Sequence, residues 1–189
     1  MKFKRKPREN EAVVTETRKD TYDWIQCLIS ALIICVLLFV FVIRVVDVRG
    51  TSMWPTLQNG DKMLVSDLFY KPKQGDVVVF KKDEYDPDKA LVKRVIAVGG
   101  QEVNIDFANG IVYVDGEPIE EDYISELTQK KLDFIGPQTV PEGCVFVMGD
   151  NRNASTDSRD KRIGMVDERL IIGKVYMVIY PLTEFGAVK

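Results

Sequence analysis

Histidine does not occur once in the 189 residues of this chain. Its absence excludes Ser-His-Asp and Cys-His catalysis, and with them any His-ligated zinc or haem. A general base here has to be Lys, Asp, Glu or Tyr. Cysteine is nearly as scarce: Cys27 and Cys35 fall in a long apolar run, and only Cys144 falls in the region that reads as folded. No intramolecular disulfide can brace that region. Cys144 lies in the strand-like Cys144-Val145-Phe146-Val147-Met148, where a thiol ordinarily acts as a small buried hydrophobe, and a catalytic thiol would lack its histidine partner. The chain also has no basic excess. A formal net charge of −3 has the wrong sign for a nucleic-acid footprint. Metal-spaced clusters, phosphate-cradling glycine loops and internal repeats are missing as well, so neither a metal nor another cofactor is expected.

What the chain does have is an uncharged apolar run from Ile25 to Ile43, nineteen residues long. At about 1.5 Å per helical residue it nearly crosses the hydrocarbon core of a bilayer. A cleavable signal peptide would be shorter and would end in small residues, whereas this run ends Phe39-Val40-Phe41-Val42-Ile43-Arg44. A buried core helix would keep a polar face. The run therefore reads as an uncleaved anchor in a lipid bilayer. Lys2, Lys4, Arg5, Lys6, Arg8, Arg18 and Lys19 precede it, against Arg44, Arg49 and Lys62 just beyond, which keeps the N-terminus in the cytoplasm. Three segments follow: a basic, disordered cytoplasmic tail over 1–24, an anchor over 25–43 and an extracytoplasmic domain over 44–189.

That domain reads as mainly β, an antiparallel sheet. Runs rich in Val, Ile and Tyr recur between turn signals at Met63–Ser66, Asp76–Phe80, Ala90–Val98, Glu102–Asp106, Gly110–Val114, Cys144–Met148 and Leu170–Tyr180. Gly99-Gly100 and Asp115-Gly116 supply the positive φ angles of tight hairpins and are expected to join neighbouring antiparallel strands. The weakly patterned Glu120–Pro141 is either a short helix or an inserted excursion.

Three segments carry possible chemistry. In Gly50-Thr51-Ser52-Met53-Trp54-Pro55-Thr56-Leu57, a serine between small residues and a proline-fixed turn can present its Oγ and leave its backbone N–H free for an oxyanion. The plain alternative is a linker serine. In Leu91-Val92-Lys93-Arg94-Val95-Ile96, two cations interrupt an otherwise apolar strand, and alternation puts Lys93 with Leu91 and Val95 on one face and Arg94 on the other. One of them is expected to be desolvated, and only lysine can then become a neutral base near pH 7; two snorkelling surface cations are the alternative. The polar loop Met148-Gly149-Asp150-Asn151-Arg152-Asn153-Ala154-Ser155-Thr156-Asp157-Ser158-Arg159 follows an apolar strand directly. It is either a solvated loop or one stiffened by an Asp157–Arg159 ion pair, with Ser155 orienting a neutral lysine amine.

Taken in order, these segments resemble the boxes of bacterial type I signal peptidases, membrane-bound Ser/Lys endopeptidases. The resemblance runs from the anchor to near the C-terminus, and the single anchor is similar to the Gram-positive form. It implies that Ser52 is the nucleophile and Lys93 the general base, with Ser155 orienting the amine, Asp157 and Arg159 forming a supporting salt bridge, and Asp150 structural in the same loop. Met53 packs beside the cleft; Gly50, Thr51 and Val92 belong to the substrate-binding surface. Some members carry an oxyanion-binding serine where this chain has Gly50, leaving the Ser52 N–H as the one donor the sequence identifies. A second donor or a water is expected, because losing such a donor costs about 2.7–4 kcal/mol.

The resemblance further implies cleavage of signal peptides from exported preproteins after a site with small residues, usually alanine, at the first and third positions before the cut. Neutral Lys93 takes the Ser52 proton, the ammonium protonates the leaving amine, and water activated by the same lysine clears the acyl-enzyme. An ordinary lysine of pKa ~10.4 is only about 0.04% neutral at pH 7, so a downward shift of about two to three units is required. The peptide is expected to add as a strand beside Asp47–Thr51 and Asp88–Val92. The short Arg44–Thr51 connection puts the cleft at the membrane surface, where Trp54, Phe69 and Tyr70 are candidates for contact, with core packing the alternative for Phe69. Two rivals share features: a catalytically inert, membrane-anchored binding or assembly module for exported proteins, and a self-cleaving Ser/Lys regulator, which would need a DNA-binding domain where this chain has an anchor. Signal peptidases of the ER type use histidine and are excluded.

Overall fold

The computed structural model describes residues 9–41, 43–82, 85–86 and 89–188. Two units follow one another along the chain, dividing after Val42. The first is one helix, α1 (Glu9–Phe41, 33 residues), about 50 Å long at 1.5 Å per residue. Within it, Lys19–Leu37, with a mean hydropathy of 1.5, is long and apolar enough to cross a membrane by length and composition. Residues 9–24, expected to be disordered, are helical instead. Glu, Ala, Arg and Lys are good helix formers, and a helix nucleated in the apolar run propagates through them at little cost. Residues 1–8, which hold five of the cations used to orient the anchor, and Val42 lie outside the described residues.

The second unit is mainly antiparallel β. Its strands are β1 (Arg44–Asp47), β2 (Lys62–Ser66), β3 (Val77–Lys81), β4 (Ala90–Val98), β5 (Glu102–Asp106), β6 (Ile111–Val114), β7 (Glu117–Pro118), β8 (Gln138–Thr139), β9 (Cys144–Met148), β10 (Val166–Asp167), β11 (Ile171–Tyr180) and β12 (Gly186–Ala187). An eight-stranded sheet runs β1-β2-β11-β3-β4-β9-β10, with β12 also paired to β11, and a four-stranded sheet runs β7-β6-β5-β8. The strand β1 was not visible in the sequence, because Arg44-Val45-Val46-Asp47 merges with the tail of the apolar run.

Burial explains which strands lose their alternation. In β3, Val77 and Val79 join a cluster with Met53, Leu57, Met63 and Val175, while Val78 and Phe80 join another with Val95, Val145 and Val147. A strand covered on both faces reads as an unbroken apolar run. The β4–β9 ladder shifts register between Val95 and Ala97, and this bulge turns both Ile96 and Ala97 into the core shared with β5 and β6.

Asp115-Gly116 joins β6 to β7 as a two-residue hairpin, with φ of 54° and 83°, as a type I′ turn requires. Gly99-Gly100 does something different from the expected hairpin: it carries the chain from the large sheet into the small one, since β4 pairs with β3 and β9 and β5 with β6 and β8. A Cβ on Gly99 would stand 2.9 Å from the Glu142 Cα, so the glycine serves a close backbone approach. Glu120–Pro141 forms no helix among its described residues and is an excursion that returns as β8. It is pinned by Phe134, whose ring meets Phe107 and Phe146 edge-on at 5.9 and 5.8 Å between centroids. Phe69 is 96% exposed, which removes core packing as its role.

Candidate active site

Ser52 sits in the turn between β1 and β2. Val48 and Gly60–Asp61 close the base of this loop through Val48 N to Asp61 O (2.8 Å) and Gly60 N to Val48 O (3.0 Å). Met53 and Leu57 plunge into the core, and the Leu57 N–H donates to the Met53 carbonyl at 2.9 Å. Two apolar hooks thus fix the turn, leaving half-buried Ser52 beside β4. The other side of the turn is held by the polar loop after β9: Asn151 N donates to the Ser52 carbonyl (3.0 Å) and Asn151 Nδ2 to the Thr51 carbonyl (3.1 Å). The Ser52 backbone N–H has no acceptor among the described residues. Gly50 N donates to Asn59 Oδ1 (2.9 Å), and a Cβ on Gly50, at φ 93°, would meet nothing within 4 Å, so the space beside this position is open.

Both cations of β4 are buried, Lys93 at 3% and Arg94 at 1% exposure; the sequence had suggested only one. Lys93 pairs across the ladder with Val78, on the face that also carries Val95 and Leu91. Its Nζ lies 2.7 Å from Ser52 Oγ and donates to the Val92 carbonyl at 2.8 Å. Burial pushes its pKa down to about 8; Asp157 and Asp150 pull upward, and Arg159 adds to the lowering.

Arg94 points the other way and forms a bidentate pair with fully buried Asp150, Nε to Oδ1 at 2.9 Å and Nη2 to Oδ2 at 2.7 Å. Thr56 Oγ1, from the serine turn, donates to the same carboxylate at 2.5 Å, and Arg94 Nη1 donates to the Gly75 carbonyl at 2.8 Å. The ring of Tyr123 covers the guanidinium at 3.9 Å. Asp157 and Arg159 form a second buried bidentate pair, at 2.8 Å for both contacts. Asp157 also accepts from Gly149 N at 3.0 Å. Burial raises the Asp157 pKa, but Arg159 and the Gly149 N–H outweigh it, so the carboxyl titrates below its ordinary range.

Ser155 Oγ is buried close behind this loop and meets no partner in hydrogen-bond geometry among the described residues; it is near enough to Asp157 to favour its charged form. The contact from Ser155 to Lys93 that the resemblance implies is not formed, Lys93 Nζ being shared between Ser52 and Val92. Gly149 lies where these elements converge, since a Cβ there would overlap Ser155 Oγ and the Ser52 carbonyl. Gly50, Thr51 and Met53 flank the serine and Val92 flanks the lysine; Asp88, at the start of one expected pairing segment, lies outside the described residues. Among the described residues the strand edges beside these segments are open: β1 pairs with β2 alone, and β4 meets β9 only from Arg94 onward.

Thr56, Tyr123, Gly149 and Arg152 have no role that sequence reasoning identified. Arg152 is wholly buried, donating to the Gly149 carbonyl (3.1 Å) and Thr128 Oγ1 (2.9 Å), and it lies 2.5 Å from Glu121 Oε1, out of hydrogen-bonding direction at Nη2. Composition offered no signal for it, because a polar loop and a polar interior have the same letters.

Residues 21–180 match the family described as signal peptidase, peptidase S26. The chain is 40% identical over 171 residues to a probable signal peptidase I-1 of Synechocystis sp., covering 86% of this chain and 84% of that one. It is 32% identical over 185 residues to signal peptidase I of Bacillus licheniformis, covering 90% and 94%. A crystal structure of a signal peptidase I from Enterococcus faecalis V583 aligns with a TM-score of 0.47 and 28% identity, over 56% of this chain and 97% of that one. The chain belongs to the S26 signal peptidase family.

Proposed function

We propose that this member of the S26 family is a membrane-anchored serine endopeptidase that removes signal peptides from exported preproteins after a small-X-small site, with Ser52 as nucleophile and Lys93 as base. The observation that carries this reading is the buried Lys93 amine 2.7 Å from Ser52 Oγ, with its pKa brought down to about 8. At pH 7 about 9% of such an amine is neutral, against about 0.03% for an unshifted one. Neutral Nζ accepts the Ser52 hydroxyl proton as Oγ attacks the scissile carbonyl, and the ammonium returns that proton to the leaving amine. The unengaged Ser52 N–H is available to the oxyanion.

The two buried Arg–Asp pairs hold the loop against which the serine turn is bonded, so geometry is maintained without a third catalytic partner. An extended peptide adding to the open edges near Gly50–Thr51 and Val92 would bring its carbonyl to Ser52, where small side chains before the cut are expected to fit. The anchor lies in the cell membrane with the N-terminus cytoplasmic and the β domain extracytoplasmic, the preprotein approaching within the same bilayer.

The test is cleavage of a preprotein with an Ala-X-Ala site by the detergent-solubilised chain, with mass spectrometry of the new N-terminus. Cleavage after the second alanine, abolished by Ser52→Ala and by Lys93→Ala, is expected. Activity should rise with pH through an apparent pKa near 8. Cleavage that survives Lys93→Ala would assign the base elsewhere, and no cleavage by the wild-type chain on several substrates would favour the inert module.

A further inference from the structure

Between the serine turn and the loop after β9 stands one residue whose side chain does no local work. Asn151 precedes the short 3-10 turn Arg152–Ala154 as its N-cap, where an asparagine ordinarily folds its side chain onto the N–H groups that follow. Among the described residues no such side-chain bond forms. The Asn151 Nδ2 donates instead to the Thr51 carbonyl at 3.1 Å, one hundred residues earlier in the chain, while its backbone N–H donates to the Ser52 carbonyl at 3.0 Å. The Thr51 oxygen also accepts from Trp54 N at 3.1 Å, so two donors hold it.

The far end of the same peptide unit is what these bonds control. Thr51 C=O and Ser52 N–H belong to one planar trans peptide and point in opposite directions, so holding the oxygen against the loop aims the hydrogen away from it. That N–H has no acceptor among the described residues. A hydrogen bond received by the carbonyl also polarises the amide and strengthens its N–H as a donor, by about 10–30% per bond. Trp54 acts from within the turn and moves with it. Asn151 acts from a loop fixed to β4, because its neighbour Asp150 is paired with Arg94, the residue after Lys93. The peptide plane is thereby referenced to the strand that carries the base.

We propose that Asn151 is a positioning residue for the oxyanion donor: its side chain fixes and polarises the Thr51–Ser52 peptide so that the Ser52 N–H meets the oxygen of the tetrahedral intermediate. This deepens the reading of Ser52 as nucleophile and rests on it.

Thr-Ser occurs once in the chain, so the full chain labelled with carbonyl-13C threonine and 15N serine gives one correlated amide signal, from the Thr51–Ser52 peptide. In detergent, Asn151→Ala is expected to move the Thr51 carbon upfield, as a carbonyl does on losing a hydrogen bond. Asn153→Ala, which removes a loop asparagine bonded to the excursion, is expected to leave it in place. On a preprotein with an Ala-X-Ala site, Asn151→Ala should lower kcat about tenfold, part of the roughly 10²–10³ that a whole oxyanion donor is worth, while KM and the pH midpoint stay at wild-type values. A peptide aldehyde ending in Ala-X-Ala, whose serine adduct carries the oxyanion, should bind weaker by the same factor. Asn151→Ser, too short to reach the Thr51 carbonyl, repeats each measurement if the alanine variant does not fold. An unmoved carbon signal, an unchanged kcat, or losses that Asn153→Ala reproduces would each overturn the proposal while the wild-type chain cleaves. A wild-type chain that cleaves nothing overturns the functional reading and this inference with it.

Discussion

Two regions of the β unit, the core around β5 and β6 and the ground behind the serine turn, are built by opposite means. Around β5 and β6 the core is wholly apolar, with Val103, Ile105, Val112, Val114, Phe134, Val140 and Phe146 in one cluster. Behind the serine turn β4 and the loop after β9 bury Lys93, Arg94, Asp150, Arg152, Asp157 and Arg159. Apolar burial is non-directional and rewards any good fit. Buried ion pairs gain little net free energy once desolvation is counted, but removing one partner leaves a stranded charge. The apolar region therefore supplies stability, while the charged region converts folding free energy into fixed positions for Ser52 Oγ and Lys93 Nζ.

Substitutions can break that division or sharpen it. The largest effect is expected from Asp157→Asn, which strands Arg159 and should destabilise by about 3–5 kcal/mol with loss of cleavage, read by denaturant titration and assay. Phe134→Ala should cost about 3–4 kcal/mol yet leave kcat of the remaining folded molecules near wild type; a large fall in kcat would erase the division. Lys93→Met should stabilise the chain while abolishing activity. The folded pKa of about 8 lies below the unfolded 10.5, so the penalty, about 3 kcal/mol, is fully present below pH 8 and disappears as pH rises to about 10.5. The stability gap between wild type and Lys93→Met should therefore close over that window. Gly149→Ala should lower kcat by at least about a hundredfold, since displacing a reacting group by about 1 Å costs that much, with a smaller change in stability. Arg169→Ala, which breaks an exposed pair with Asp167, should leave both readouts unchanged.

How much of this was legible in the sequence follows the same division. Ala90–Val98, Glu102–Asp106 and Cys144–Met148 coincide with β4, β5 and β9, because period-two patterns and apolar runs are local signals. The pairing of β11 with both β2 and β3 and the crossing between sheets at Gly99-Gly100 depend on contacts distant in sequence, which no local pattern encodes. At the site, Ser52 and Lys93 stood out as a serine in a flexible turn and a cation in an apolar strand, and the structure brings them together. Thr56, Tyr123 and Arg152 did not stand out, because their roles arise from burial by an irregular excursion. The Asp157–Arg159 pair was legible since two residues apart in a loop is close enough for one guanidinium to reach back.

The strand β1 leaves Arg44 at one end and delivers the chain toward Ser52 at the other, eight residues later. With α1 in a bilayer, those residues are a spacer of at most about 28 Å between the lipid and the nucleophile. A second chain held by its own apolar segment in the same bilayer has to reach the same height with its own polar residues, and running outward along the open edge of β1 it would lie parallel to that strand. Under the function proposed above, the length of chain beyond the apolar segment would act as a measuring device: among several small-X-small sequences, the one whose spacing matches the eight residues from Arg44 to Ser52 would be cut.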